Sequence, residues 1–334
     1  MKNIILSLAL VLPLVLSAQY SSHFLQRFTE SGKTGWRFST ATAANYGDIG
    51  SEAVDLSYSN NSSTTRGAKG DYSVAMGYNT TASGYASTAM GGYTKASGYG
   101  STAMGSYPTA SGDYSTAMGS FTTASGLIST AMGSRATASD YASLSIGSYN
   151  SVNSSVTGSA TAFNTANAAF VIGNGTASNA KSDAFVVYFN GNATLAGDLT
   201  INSDARLKDN IQPLGSTLDK LHQIEGKTYT FLKDEEHTPK IGVLAQEVQA
   251  VFPELVTEGA DGILSVNYQG LVPVLINAIN EQELKMSEQD AKIAALEAQN
   301  EQLAIASQKI AALEEMVRFL AVQQSQATSS VAAN

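Results

Sequence analysis

Ser101-Thr102-Ala103-Met104-Gly105-Ser106-Tyr107-Pro108-Thr109-Ala110-Ser111-Gly112-Asp113-Tyr114 is followed at once by Ser115-Thr116-Ala117-Met118-Gly119-Ser120-Phe121-Thr122-Thr123-Ala124-Ser125-Gly126. The second line repeats the first with a period of fourteen, and the period extends both ways. Gly77, Gly91, Gly105, Gly119, Gly133 and Gly147 form one series, the first five each closing an Ala-Met-Gly triplet. Gly84, Gly98, Gly112 and Gly126 form a second, each preceded by Ala-Ser, with Asp140 in the fifth place. A fixed period of this kind marks stacked structural units. Ser-x-Ala-x-Gly alternates with period two, which fits a strand and not a helix. Ser73 and Ala75 then share one face, and Val74 and Met76 the other. Half a repeat is a strand of four or five residues and a turn. Such a strand does not stand alone, but stacked on identical neighbours it makes a parallel ladder rising about 4.8 Å per coil. The expected fold is a narrow β-roll with two strands per coil. Asp140 fits a turn in this reading, because Asp tolerates the left-handed conformation that glycine turns often need.

Residues 72–200 carry only Lys95, Asp113, Arg135, Asp140, Lys181, Asp183 and Asp198 as charged side chains. In-register stacking explains this poverty, since a charge in every coil would sit above its own kind. The Ser-x-Ala-x-Gly and Ala-Ser-Gly series over residues 68–150 resembles the head of trimeric autotransporter adhesins. The resemblance implies a trimer of left-handed parallel β-rolls, with small Ser, Ala and Gly faces letting three rolls pack together. The chain differs by placing Met where that family usually has Ile or Val. The adhesins' C-terminal membrane barrel is not recognised in it, so autotransport is not implied. Tyr93, Tyr107, Phe121 and Tyr149 also recur, with Arg135 filling the gap. They read either as a sugar-stacking strip or as a ladder of like rings packing on one another.

Residues 1–18 read as a secretory signal peptide, with Lys2, the apolar stretch Ile4 to Leu16 and a small-residue exit at Ser17-Ala18. The expected location is secreted or at the cell surface. No run is long and apolar enough for a transmembrane helix. Cysteine is absent, which excludes disulfides, thiolate zinc sites and cysteine nucleophiles. His23, His222 and His237 are scattered without metal-ligand spacing, and no cofactor is implied. The net charge of −9 lies wholly in the second part of the chain, since residues 1–203 have nine basic and nine acidic side chains and residues 204–334 have ten and nineteen. Neither part has the basic stripe that nucleic acid binding needs.

After an N-terminal segment (19–67) and the head repeats (68–150), residues 151–202 lose the strict period and read as a β connector. Phe170 to Gly173, Ala184 to Tyr188 and Leu195 to Ile201 are its expected strands, with turns at Asn174-Gly175 and Asn190-Gly191. The charge-poor part then meets the charge-rich part at Asn202-Ser203-Asp204-Ala205-Arg206-Leu207-Lys208-Asp209-Asn210-Ile211. Ile241-Gly242-Val243-Leu244-Ala245-Gln246-Glu247-Val248, with Phe252-Pro253-Glu254-Leu255-Val256, follows. Val266-Asn267-Tyr268 and the run Leu271 to Ile279 follow in turn. These three motifs, in this order, resemble the C-terminal intramolecular chaperone and auto-processing domain of phage tailspikes and endosialidases. That family folds as a trimer and then cleaves itself at a serine, using a Ser–Lys dyad five residues apart. Ser203 and Lys208 match those positions, which implies a cut between Asn202 and Ser203. Asp204, Arg206 and Asn210 also match and are expected to hold the loop.

The chemistry accounts for the residue types. A serine hydroxyl is a weak nucleophile until a base takes its proton. Lysine serves as that base only if its pKa falls from about 10.4 toward neutrality, through burial or nearby positive charge. Arg206 is a candidate for that charge or a purely structural residue, Asp204 and Asp209 oppose it if close and ionised, and an oxyanion donor is also required. The rest of the domain (203–271) reads as α+β. Leu218-Leu221-Ile224 and Val243-Val248-Phe252 are short helical faces, and Lys227 to Leu232 and Ile263 to Val266 are strands. Residues 272–323 read as a long coiled-coil helix. Ile279, Met286, Ile293 and Asn300 fall at one heptad position and Gln282, Gln289, Leu296 and Leu303 at the other. The phase shifts before Ile310, Leu313, Val317 and Leu320. Its alternative is a single amphipathic helix packed on its own domain. Residues 324–334 are small and polar and are expected to be disordered.

These readings lead to a secreted homotrimeric fibre with a self-processing assembly domain and a cell-surface or glycan ligand. A glycan-degrading enzyme is the first alternative. It would need paired carboxylates, and between 72 and 200 only Asp113, Asp140, Asp183 and Asp198 are available. A phage-derived tail fibre is the second, and the leader-like N-terminus argues against it.

Overall fold

A computed structural model describes residues 24–232 and 237–331. The leader expected over 1–18 and the end of the expected tail, 332–334, lie outside the described residues. The chain divides into two compact units, and the division falls at Asn202–Ser203.

The first unit is a two-strand β-roll. Its long strands include Val74–Tyr78, Thr88–Gly92, Thr102–Ser106, Thr116–Ser120, Thr130–Ser134 and Leu144–Ser148. They pair in parallel with like on like: Ala103 beside Ala117, Met104 beside Met118, Gly105 beside Gly119. The second wall is made of two-residue strands such as Thr109–Ala110 and Thr123–Ala124, also parallel and in register. One alanine from each wall points inward, so Ala75, Ala89, Ala103, Ala117 and Ala131 face Ala82, Ala96, Ala110, Ala124 and Ala138, all fully buried in one core. The serines before the long strands are buried too, and Ser87 and Ser101 donate their hydroxyls to the carbonyls of Gly84 and Gly98 at 2.7 and 2.8 Å. Met76 and its equivalents face outward, so the small Ser and Ala face expected to let three rolls pack together lies inside each roll instead.

The roll is longer than its strict repeat. Val54–Tyr58 already stacks in register on Val74–Tyr78, and Ala168–Asn174 continues the ladder on Leu144–Ser148, Gly147 pairing with Gly173. A hairpin, Leu25–Glu30 with Lys33–Phe38, closes the N-terminal end. Beneath it Arg37 is buried, bonded to Asp55 at 3.1 Å, Glu30 at 2.9 Å and the Gly47 carbonyl at 3.0 Å, with Tyr46 under its guanidinium. At the other end Asp183–Tyr188 and Ala193–Leu195 turn back antiparallel. The last expected strand is therefore Ala193–Leu195, and not Leu195 to Ile201. Ala196 still donates to the Ala184 carbonyl at 3.0 Å, but the partner strand begins at Asp183, so the chain beyond runs off its edge.

Asp140 needs a different explanation from the one its position offered. The second glycine series, Gly84 to Gly126, lacks left-handed backbone, and so does Asp140. These glycines exclude a side chain because a Cβ would land on the carbonyl of the equivalent residue in the next coil, Gly126 on that of Asp140. Above Asp140 the regular coil stops, which leaves room for a side chain. Its fully buried carboxylate accepts the Thr157 and Ala168 amides at 2.7 and 3.0 Å and the Thr157 hydroxyl. Asn150 closes the short-strand wall in the same way, trading both hydrogen bonds with Thr137 at 2.8 Å as a further strand would. Left-handed backbone falls instead on the first glycine series, Gly77 to Gly147, and on two largely non-glycine columns: Tyr72, Ala86, Gly100, Tyr114, Ile128 and Ala142 in one, and Asn79, Tyr93, Tyr107, Phe121, Arg135 and Tyr149 in the other.

Among its described residues the second unit holds three α-helices, α1 (Leu218–Leu221), α2 (Ala245–Val251) and α3 (Leu271–Val331). Two small hairpins join them, Lys227–Tyr229 with Lys240–Gly242 and Val256–Glu258 with Leu264–Val266. Val248, Phe252 and Val274 are its buried centre, with Leu221, Ile224, Val243, Leu255 and Val266 against them. Pro273 sits in the first turn of α3, where its missing N–H costs nothing. The helix does not end near Gln323. It runs to Val331, because residues 324–331 contain neither Gly nor Pro and extending a formed helix is easy. The helix runs unbroken through the heptad shift after Leu303.

Candidate functional site

Ser203 and Lys208 are brought together by one turn of 3-10 helix, Ala205–Leu207. The sequence builds that turn locally. Asp204 caps it, its carboxylate accepting the Arg206 amide at 2.9 Å. The Arg206 guanidinium returns to the same carboxylate through Nε at 3.1 and 3.2 Å and Nη2 at 2.7 Å. The Leu207 and Lys208 amides bond back to the Asp204 and Ala205 carbonyls at 3.0 and 3.1 Å. The chain thus folds back, and Lys208 Nζ lies 2.8 Å from Ser203 Oγ. As placed, Nζ donates to the hydroxyl; the same distance would let an uncharged amine accept the hydroxyl proton instead. Asn210 adopts left-handed backbone, which Asn tolerates, and turns the chain away. Asn202 precedes Ser203 in exposed, irregular chain.

Electrostatics divide the remaining residues. The Arg206 side-chain hydrogen bond holds the Asp204 carboxyl below the usual carboxylate range, and Asp204 in turn raises the Arg206 guanidinium. Arg206 is therefore matched by Asp204 and is not a free positive charge beside Lys208. Both side chains are exposed, so the pair orders the turn more than it stabilises the fold.

Sequence reasoning missed a second polar cluster. Glu281 of α3 accepts Thr217 N at 2.6 Å, Thr217 Oγ1 at 3.1 Å, Ser216 Oγ at 3.0 Å and Leu218 N at 3.3 Å. Asn277, one turn earlier, donates to the Gly215 carbonyl at 2.6 Å and to Glu281 at 2.9 Å. The only trace in the sequence was an Asn and a Glu four apart in the most apolar stretch of α3.

Models of known families match both regions. The chaperone of endosialidase model matches residues 203–257, and the YadA head domain repeat model matches five overlapping segments between 68 and 150. The chain joins YadA-type head repeats to a chaperone-of-endosialidase domain. The head-repeat matches cover residues 68–150, the stretch read from the glycine period, and the chaperone match begins at Ser203. Long tail fiber protein Gp37 of Escherichia phage AR1 is 37% identical over 109 residues, covering 30% of this chain and 9% of that protein. The protein of the same name from Salmonella phage S16 is 35% identical over 99 residues, covering 27% and 13%. The matches thus span about a tenth of the phage proteins' length.

Along the head repeats the aromatic residues form two ladders. Tyr93, Tyr107 and Phe121 stack at 4.5 and 4.7 Å, and the Arg135 guanidinium lies 4.3 Å over Phe121. Tyr72, Tyr85, Tyr99 and Tyr114 form the other, at 4.9 to 5.3 Å. In the stacked stretch the rings cover one another's faces and leave edges outward, which favours the ladder of like rings over a sugar-stacking strip. Three of the four carboxylates of residues 72–200 accept backbone amides: Asp113 that of Tyr99, Asp140 those of Thr157 and Ala168, and Asp183 those of Ser151 and Val152. They close turns and strand ends, and do not face each other as a glycosidase pair.

Proposed function

We propose that this protein is a homotrimeric fibre whose chaperone-of-endosialidase domain aligns three chains and then cuts itself off between Asn202 and Ser203. The observation that carries the reading is the 2.8 Å contact of Lys208 Nζ with Ser203 Oγ at the first residue of the matched chaperone segment. In the reaction Lys208, neutral, takes the hydroxyl proton, and Oγ bonds to the Asn202 carbonyl carbon. The Asn202 C–Ser203 N bond breaks as the proton passes to the departing nitrogen. Water then hydrolyses the ester, leaving a carboxylate on Asn202 and a free amine and hydroxyl on Ser203. The step needs a dry site, and in the single chain Ser203 and Lys208 are both exposed. Burial by neighbouring copies supplies the dryness, so cutting waits for assembly.

The state of α3 supports the trimer. Ile279, Met286, Ile293, Leu296, Leu303, Ile310, Leu313, Val317 and Leu320 are all more than half exposed, and among the described residues contact with its own domain is confined to the start of α3, from Val274 and Ala278 to Glu281 and the Lys285–Asp219 ion pair. A single helix packed on its own chain is not what this arrangement offers. An uncovered heptad stripe calls for further helices. Full-length protein run on a denaturing gel beside Ser203→Ala and Lys208→Ala is expected to give two bands, and each variant one. Terminal sequencing of the smaller fragment should read Ser203-Asp204-Ala205. A single uncut band for all three chains would leave an assembly domain without protease activity, and light scattering that returned a monomer would remove the fibre.

The relatives favour a second reading of where the fibre works, on a virion and not on a cell. Both readings share the assembly chemistry. Protein recovered from the producing cell's exterior with residues 1–18 removed supports the exported fibre, and an intact Met1 in virions supports the other.

A further inference from the structure

Residues 203–216 are exposed throughout, and apart from the turn Ala205–Leu207 they have no regular structure. The first buried residue after the dyad is Thr217, 1% exposed. At that point the Glu281 carboxylate collects five donors: the Ser216 hydroxyl, the Thr217 amide and hydroxyl, the Leu218 amide and the Asn277 side chain. Asn277 also holds the Gly215 carbonyl and the Thr217 hydroxyl, so the two helix residues grip four consecutive residues of the arriving chain. The Thr217 amide bond and its companions hold the Glu281 carboxyl below the usual carboxylate range, so it is ionised at neutral pH. The grip depends on helical geometry, because residues four apart face the same way only on a formed helix. Beyond Glu281 the described side chains of α3 are exposed throughout to residue 325, with Lys285 reaching Asp219 at 3.5 Å, and an unsupported helix is marginal in water.

Resting on the self-cleavage reading above, we propose that Asn277 and Glu281 are positioning residues for the cut: they clip residues 215–218 to α3 and so steady the Ser203–Lys208 segment only once that helix has formed. The clip makes formation of the long helix a precondition of a well-placed serine. Its residues touch no reacting atom.

The test uses the full chain, with cleavage timed on the assembled fraction isolated by size exclusion. Asn277→Ala and Glu281→Gln are expected to slow cutting about tenfold or more, with helicity and oligomer size as in the wild type. In an uncut Ser203→Ala background the same two changes should speed hydrogen exchange at the Thr217 and Leu218 amides. Thr217→Ser, which keeps the hydroxyl, should cut at the wild-type rate, and Thr217→Val should not. Glu283→Gln, on the same helix but outside the clip, should behave as wild type. Assembled Asn277→Ala or Glu281→Gln cutting at the wild-type rate would overturn the proposal. So would slower cutting that vanishes once only the assembled fraction is counted. A wild-type chain that never cuts removes the self-cleavage reading itself, and that result is visible without any clip variant.

Discussion

Gly91 and Gly92 are neighbours in one strand and answer to different constraints. Gly91 has φ +117°, and a Cβ there would strike the backbone of Gly105 in the next coil, whereas Gly92 has open space around its would-be Cβ. Gly91→Ala combines left-handed strain with overpacking and is expected to cost about 3 kcal/mol or more. Gly92→Ala is expected to stay within about 0.5 kcal/mol of wild type or to stabilise slightly. Thermal midpoints measured at one scan rate separate the two, and equal midpoints would remove the close-approach account of the glycine columns. A second residue-level prediction concerns acid. Glu281 is held below its ordinary range by the donors around it, the Thr217 amide first. A carboxyl depressed in the folded state stabilises fully above its unfolded value, near 4.3, and loses that contribution as pH falls through the folded value. In the Ser203→Ala chain, protection of the Thr217 amide should hold from about pH 7 to 5 and fall away below about pH 4. Protection that is already lost at about pH 6 would point to a different titrating group.

At the scale of elements, the coil is the unit. Each coil touches only the coils beside it, and like residues pair with like, so its stability is a sum of nearest-neighbour terms. Deleting residues 98–111 joins Ser97 to Gly112 and restores the pattern, and the chain should fold with a thermal midpoint within about 5 °C of wild type. Deleting residues 98–104 lays a five-residue strand on a two-residue one, puts Met118 over Ser97 and sets the left-handed Gly105 over Gly84, which is not left-handed. That chain should yield no cooperative transition. Equal outcomes would mean the period of fourteen is not structural. The same logic explains what the sequence made legible. The central coils could be read from glycine alone because backbone meets backbone there and no other residue fits. The coil at Val54–Tyr58 was not legible, and at Ala168–Asn174 the strand was but not its place in the roll, because where a neighbour diverges the strict identity is no longer required. Asp140 was read as a turn residue because sequence shows a substitution but not the absence of a coil above it. The Ser203–Lys208 spacing was legible because one local turn makes the contact. The Asn277–Glu281 clip joins residues 60 to 65 apart, a separation that leaves no periodic trace.

For the whole molecule, the regularity that makes the roll also makes it ambiguous. Slide one roll past another by a single coil, about 4.8 Å, and nearly every contact returns: alanine, methionine and ring positions all repeat. Only sparse features break the degeneracy, among them Lys95, Arg135 and the Asp140 end of the series. Three rolls meeting unaided would therefore find many registers of nearly equal energy. The seam of α3 has no such ambiguity. Its polar Asn300 and its phase change after Leu303 occur once each, so a coiled coil slipped by one heptad leaves them mismatched. On the proposed reading the register information resides in residues 203–334, and cleavage discards it after use. The cut fibre is then held by its unfolding barrier and not by an ability to find its way back. This separates two preparations that share the same N-terminal unit. Unfolded in guanidinium and diluted, the uncut Ser203→Ala chain should recover its original size by light scattering. The cleaved fibre should return as misaligned or aggregated material, even though both resist the first unfolding to a similar degree. Equal recovery would show that the rolls carry their own register, and would leave the C-terminal unit without the aligning role on which the sequence of assembly and cutting depends.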